Sequence, residues 1–161
     1  MNKLPAPEFL ERLKALSPGK MDAQVRSGSR IYLRVPREEL TEIVEIIFRR
    51  MGAKFSIASA LEIREGYEVL YHFTFDKLGF ICTVKTLAPR EAPLLDSIVP
   101  IVPGAIWIER EIHDILGVRF EGHPSLKRLV KAEFAKEDEY PFRKDFDQKA
   151  FKKKHNLPIP D

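Results

Sequence analysis

The run from Tyr67 to Phe75 constrains this chain more than any other stretch. Tyr67, Val69, Tyr71, Phe73 and Phe75 alternate with Glu68, Leu70, His72 and Thr74. Successive strand side chains point to opposite faces, so a period of two places the large apolar groups on one face of a sheet. A strand over Phe55 to Arg64 precedes it across a turn at Gly66. Another over Phe80 to Leu87 follows Asp76-Lys77-Leu78-Gly79, a short connection containing Gly. Short links between consecutive strands favour antiparallel pairing, and a sheet with one apolar face needs helices to cover it.

The helices are legible too. Pro36 opens the clearest one, since its missing N–H costs nothing at a first helical position. Leu40, Ile43, Val44, Ile47, Phe48 and Met51 follow at helical spacing, and Gly52 closes it. Pro7 to Leu16 reads as a short amphipathic helix ended by Ser17-Pro18-Gly19. Strands are expected at Met21 to Arg26 and Ile31 to Val35. The expected fold is α+β: a two-layer domain with a mainly antiparallel sheet and helices packed on one face.

From Ala88 to Gly104 the chain is apolar between Pro89, Pro93, Pro100 and Pro103. Such a segment is no central strand, and a short helical turn near Asp96 to Val99 fits it. A helix over 106–116 follows, with Ile108, Ile112, Ile115 and Leu116 as its stripe and Gly117 as its stop. Arg110 and Asp114 stand four apart and are expected to pair on its surface. After Val118 regularity fades, yet Phe120, Leu126, Leu129, Val130, Phe134, Tyr140, Phe142, Phe146 and Phe151 stud the tail. That is too apolar for a disordered linker and too aperiodic for a core of its own, so the tail should take its order from another protein. The expected division is a domain at 1–118, with its connector at 88–104, and an extended partner-binding tail at 119–161.

Several function classes lack support. The net charge is +3 and the 32% of charged residues are mixed in sign. Lys152-Lys153-Lys154 is the one basic run, so a nucleic-acid adaptor is disfavoured. No stretch approaches ~18 consecutive apolar residues, and no signal-peptide pattern opens the chain. A single cysteine, Cys82, allows no disulfide framework, suits a reducing compartment, and cannot hold an iron–sulfur cluster. The eight glycines form neither a dinucleotide fingerprint nor a phosphate loop. Cys82 falls on a strand and reads as a buried structural thiol, and His72 as a hydrogen-bonded structural residue. His155, beside three lysines, reads as solvated. Trp107 reads as a packing anchor.

One place invites chemistry. Glu109 and His113 are four apart, and with Glu111, Asp114 and His123 they could serve a metal or acid–base site. A small metal-dependent hydrolase using Glu109, His113 and His123 is therefore one alternative. The simpler reading is a helix whose ions pair among themselves or across an interface, with His123 ordering the turn beside Pro124.

The segment Glu109-Arg110-Glu111, Asp114, Ile115-Leu116, His123, Lys127, Leu129-Val130 resembles the signature of the 30-kDa subunit of respiratory complex I, the C subunit of NADH–quinone oxidoreductase. Tyr140-Pro141-Phe142-Arg143-Lys144-Asp145-Phe146 is similar to that family's second motif. The likeness covers about residues 30–147. Asp138-Glu139-Tyr140 lacks the Gly-His that complex I members carry before this motif, and His113 stands where they commonly have Tyr. These departures resemble the branch found in membrane-bound nickel–iron hydrogenases and related archaeal complexes.

The resemblance implies a non-catalytic subunit in the peripheral arm of an ion-translocating oxidoreductase, on the cytoplasmic side of the membrane. The C subunit of a true NADH–quinone oxidoreductase is the other branch. No catalytic, cofactor or metal residue is expected in this chain. A nickel–iron or quinone site and iron–sulfur clusters belong to partner subunits. The implied partners are the large catalytic subunit, 49-kDa-like or hydrogenase-like, and other peripheral-arm subunits. The residues implied to face them are Trp107, Glu109, Arg110, Glu111, Asp114, His123, Lys127 and Arg128 in the first motif. Tyr140, Phe142, Arg143, Lys144, Asp145 and Phe146 are those of the second. Arg110, Asp114, Arg143, Lys144 and Asp145 would supply ion pairs at the contact.

Overall fold

In the computed structural model the described residues are 6–17 and 21–158. The chain runs through helix α1 (Ala6–Leu16), hairpin strands β1 (Asp22–Ser27) and β2 (Arg30–Arg34), helix α2 (Leu40–Glu45), and strands β3 (Lys54–Ile63), β4 (Gly66–Phe75) and β5 (Phe80–Pro89). These strands form one sheet of order β1-β2-β5-β4-β3. All its pairings are antiparallel except β2 with β5, which is parallel because α2 carries the chain across between β2 and β3. The fold is α+β, as the alternation predicts.

On β4 every apolar alternate residue from Tyr67 to Phe75 is buried, while Glu68, Leu70, His72 and Thr74 are half-exposed. That is the signature of a sheet covered on one face. Phe9 of α1 is fully buried and meets Phe75 and Phe80 edge-on at 5.0 and 4.9 Å. Pro36 precedes a 3-10 turn, Arg37–Glu39, that leads into α2. Beyond Glu45 the helix continues as a π-helical turn, Ile46–Arg50, and Gly52 follows at φ +73°. The predicted stop at Ser17-Pro18-Gly19 extends into residues 18–20, outside the described ones.

Two features of the second half go beyond the expected elements. The helical turn expected near Asp96 to Val99 begins at Ile98, and just before it Leu94–Asp96 forms strand β6, paired in parallel with β7 (Arg119–Glu121) as a separate two-stranded sheet. Pro93 and Pro100 confine the extended stretch to those few residues, and the turn comes later, where Val102 N–H donates to Ile98 O at 2.8 Å. Beyond Val118 the tail holds β7 and helix α4 (Gln148–Lys154), whose N-terminus is capped by the Asp147 carboxylate. The lysine triplet thus forms the last turn of a helix, where cations complement the dipole.

Helix α3 (Ile106–Leu116) joins the two halves. It ends at Gly117, which has φ +78° and an N–H bonded to His113 O at 2.8 Å. A Cβ there would lie 2.5 Å from Arg143 Nη2 and 2.6 Å from the Tyr140 ring. Both backbone conformation and space therefore demand glycine.

Candidate partner-docking surface on helix α3 and the tail

Two of the three acids of α3, Glu109 and Asp114, turn inward. Glu109 is fully buried and bears on three donors: Ser97 Oγ at 2.6 Å, Ile98 N–H at 2.9 Å and the Tyr71 hydroxyl at 3.2 Å. Burial pushes its carboxyl up to about 7, against the opposing pull of those hydrogen bonds. Burial likewise raises the Tyr71 hydroxyl well above its ordinary value, with the Glu109 charge adding to it. Glu109 thus ties the proline-rich connector and the inner strand β4 to α3.

Asp114 serves the tail. One of its carboxylate oxygens accepts the N–H groups of Leu129, Val130 and Lys131 at 2.6, 2.8 and 3.2 Å. Burial pulls its pKa up, yet the three N–H groups outweigh burial and hold it below the ordinary value. The expected Arg110–Asp114 pair is therefore not formed. Arg110 instead donates to the carbonyls of Lys127 and Arg128, both at 2.8 Å, and its guanidinium stacks on Trp107 at 4.9 Å.

The rest of the tail is held the same way. Arg143 donates to Leu116 O at 2.8 Å and lies between the rings of Tyr140 and Tyr67, at 4.1 and 5.0 Å. Arg128 reaches the carbonyls of Ala132 and Glu133 and the Glu137 carboxylate. The Lys144 N–H donates to Glu62 on β3, and the Phe142 N–H to Ile115 O. His155 is not solvated: it is half-buried and bonded to Glu139, which Lys154 also engages. Lys154 foremost, then the Lys136 N–H and His155, bring the Glu139 carboxyl down to about 2. Phe146 packs on Phe151 at 5.2 Å.

His123 accepts the Ser125 N–H at Nδ1, so its Nε2–H donates to Ile106 O at 3.1 Å and orders the turn as expected. His113 Nδ1 is bonded to Val118 O at 3.0 Å. Glu109, His113 and His123 therefore do not converge, and among the described residues no three His, Cys, Asp or Glu side chains are placed to hold a metal ion. The hydrolase alternative loses its site. His72 bridges Ser59 and Thr83, and Cys82 is fully buried with its thiol pushed up by that burial.

Several large apolar side chains of this region face outward. Trp107 is 60% exposed and Phe142 68%, and Val130 and Phe134 are also exposed. Trp107 is thus no packing anchor within the chain. Lys127, Lys144 and Asp145 are exposed among them, and Glu111 is half-buried. The sequence-predicted set divides accordingly. Glu109, Arg110, Asp114, His123, Arg128, Tyr140 and Arg143 organise the chain internally, whereas Trp107, Lys127, Phe142, Lys144 and Asp145 face out. Sequence reasoning missed Tyr71, Ser97, Glu62 and Glu139, each of which bonds to a residue at least twelve positions away.

No helix among the described residues is long and apolar enough to cross a membrane. Residues 33–152 match the family model described as respiratory-chain NADH dehydrogenase, 30 Kd subunit. The fused C/D subunit of NADH-quinone oxidoreductase from Phocaeicola vulgatus is 35% identical over 72% of this chain and 22% of its own length. The C subunit of NADH-quinone oxidoreductase from Mesorhizobium japonicum is 40% identical over 50% of this chain and 38% of its own. Formate hydrogenlyase subunit 5 of Escherichia coli is 29% identical over 85% of this chain and 25% of its own. The chain thus spans well under half the length of these relatives. A chain of the membrane-bound sulfane sulfur reductase, an archaeal respiratory membrane complex, superposes with a TM-score of 0.84 at 28% identity, over 96% of this chain and 94% of its own. A trypsin-resistant fragment of Nqo5 shares the fold, with a TM-score of 0.61 at 24% identity, over 74% of this chain and 98% of the fragment. With both motifs inside the matched span, this chain belongs to the respiratory-chain NADH dehydrogenase 30 Kd subunit family.

Proposed function

We propose that this chain is a non-catalytic, interface-forming subunit of a membrane-associated respiratory oxidoreductase, docking on the large catalytic subunit in its peripheral arm. The observation that carries this reading is the exposure of Trp107, Val130 and Phe142 on α3 and on the tail fastened to it. Large exposed apolar side chains held on an ordered frame mark a protein contact. The frame is rigid because Asp114, Arg110 and Arg143 fasten the tail to α3. The internal charges shape the surface, and Lys127, Lys144 and Asp145 remain to make ion pairs with a neighbour.

The likeness to a formate hydrogenlyase subunit and to a chain of an archaeal respiratory membrane complex supports the hydrogenase-type branch. The relatives from NADH-quinone oxidoreductases support membership of such an enzyme as the second reading. In either case, electron-transfer clusters and the nickel–iron or quinone site reside in partner subunits. The chain itself sits peripherally on the cytoplasmic side. The test is purification of the tagged full chain from native membranes. The wild type brings down a large catalytic subunit. A Trp107→Asp/Phe142→Asp variant that melts like the wild type loses that subunit. Undiminished recovery with the double variant would overturn the assigned surface.

A further inference from the structure

The five-stranded sheet has a second face. Phe9 of α1 meets Phe75 and Phe80, and Glu109 of α3 meets Tyr71, so both helices lie on the face that carries Tyr71 and Phe75. Residues opposite each other on neighbouring strands share a face. The register therefore places Ile57 beside His72 and Thr83, and Leu61 beside Glu68 and Leu87, on the other side. Arg30, Tyr32 and Arg34 of β2 continue that side. Ile57 is 54% exposed there, Leu61 45% and Leu87 37%. A sheet face left to water carries polar residues. Three large apolar side chains gathered on it mark a surface that something covers.

The polar groups among them are paired within the chain. His72 has Thr83 Oγ1 at 3.0 Å from one ring nitrogen and Ser59 Oγ at 3.3 Å from the other. Burial foremost, then the Arg30 charge, holds its pKa below the ordinary value, so it is neutral at pH 7. Lys85 and Glu68 pair at 2.9 Å. Covering these groups leaves no lone charge buried. The cations on β1 and β2 differ. Arg26, Arg30 and Arg34 make no ion pair with a described residue. They line a cleft of about 670 Å³ in which Asp22 is the one acid. The other acids nearby, Glu38 and Glu65, stand at the Leu87 end. An apolar floor with unpaired arginines along one side complements a guest that is apolar below and acidic along that flank.

The dimensions select a helix as that guest. β2 and β3 are three strand spacings apart, ~14 Å. One α-helix with its side chains is ~10–12 Å wide. Laid along the strands, it reaches Ile57 and Leu61 on one flank and Arg30 and Arg34 on the other. Arg30 is level with Thr74 of β4 and Leu61 with Glu68. Those rungs lie ~20 Å apart, the length of about 13 helical residues. We propose that an amphipathic helix of a partner polypeptide docks on this open face, its aliphatic side chains on Ile57, Leu61 and Leu87 and its carboxylates on Arg30 and Arg34. The two carboxylates stand roughly two helical turns apart, matching the arginines on their strand. None of these residues belongs to α3 or the tail, so the proposal stands apart from the docking reading above.

The test is photo-cross-linking in native membranes from a photoreactive phenylalanine analogue at position 61 of the full chain, with the cross-linked peptide sequenced. The expected peptide comes from another polypeptide and carries aliphatic residues at helical spacing with acids along one flank. Arg30→Asp/Arg34→Asp breaks no ion pair within the chain. It should lower the yield at position 61 at least about tenfold and leave cross-linking from position 107 unchanged. Changing the two acids of the sequenced peptide to Lys should restore the yield. If the double variant does not fold, Arg34→Gln replaces it and should lower the yield about threefold. No cross-link from position 61 overturns the proposal whatever position 107 does, and loss at position 107 alone overturns only the reading above. A cross-linked peptide without acids or from a second copy of the chain, attachment to lipid or nucleic acid instead, or a yield indifferent to the arginine variants would each overturn it too.

Discussion

Replacing Glu109 by Gln should abolish a pH dependence of stability that the wild-type chain carries. The carboxyl titrates near 4.5 when unfolded and is pushed up to about 7 in the fold, chiefly by burial. Between those values the folded state binds the extra proton. Stability from this group is therefore fully present at pH 4.5 and below, and is lost as pH rises toward 7. The separation of about 2.5 units corresponds to about 3 kcal/mol. Gln suits the same three neighbours. Its Oε1 can accept from Ile98 N–H and Tyr71, where Glu109 Oε1 does, and its amide can donate to Ser97 Oγ once that hydroxyl turns. Urea unfolding of both chains between pH 5 and 8 reads the effect. The wild type should lose most of that energy relative to Glu109→Gln as pH rises. His72, whose pKa burial lowers, works in the opposite direction below pH ~6.5 and cancels in the difference. Parallel pH slopes in the two chains would refute the reasoning.

Asp114→Ala removes the acceptor of three tail N–H groups and should cost about 3 kcal/mol, with amide exchange at Leu129 to Lys131 rising more than elsewhere. Gly117→Ala forces a side chain into φ +78° and against Arg143, and should cost about 2 kcal/mol in thermal or denaturant unfolding. Cys82 should resist iodoacetamide in the native chain and react at the rate of a free thiol once unfolded, because burial keeps it protonated and inaccessible.

The sheet was legible because its information is local. The alternation over Tyr67 to Phe75 and the short turns around it predict three strands whose observed ends fall close to the expected ones. Gly117 likewise marks the end of α3 from its position alone. The pairing partners were not local. β6 and β7 are three residues each, and their parallel pairing joins segments on either side of α3, beyond the reach of any periodicity. Arg110 and Asp114 have the right spacing for a surface ion pair worth about 0.3–0.5 kcal/mol. Three backbone N–H groups from the tail offer the carboxylate more, so the tertiary contact wins. Glu109 looked like a surface charge because helical spacing gives no warning of the donors supplied by Tyr71 and Ser97. Glu109 and Asp114 of the motif that resembles an interface thus serve as an internal scaffold. The outward face belongs to the aromatic residues beside them.

Site-specific photo-cross-linking from position 107 in the native complex tests the central claim most directly. A photoreactive phenylalanine analogue replacing the exposed Trp107 should cross-link the large catalytic subunit, and the same group at position 142 should reach that subunit too. An intact complex in which neither position cross-links the large subunit would contradict the account.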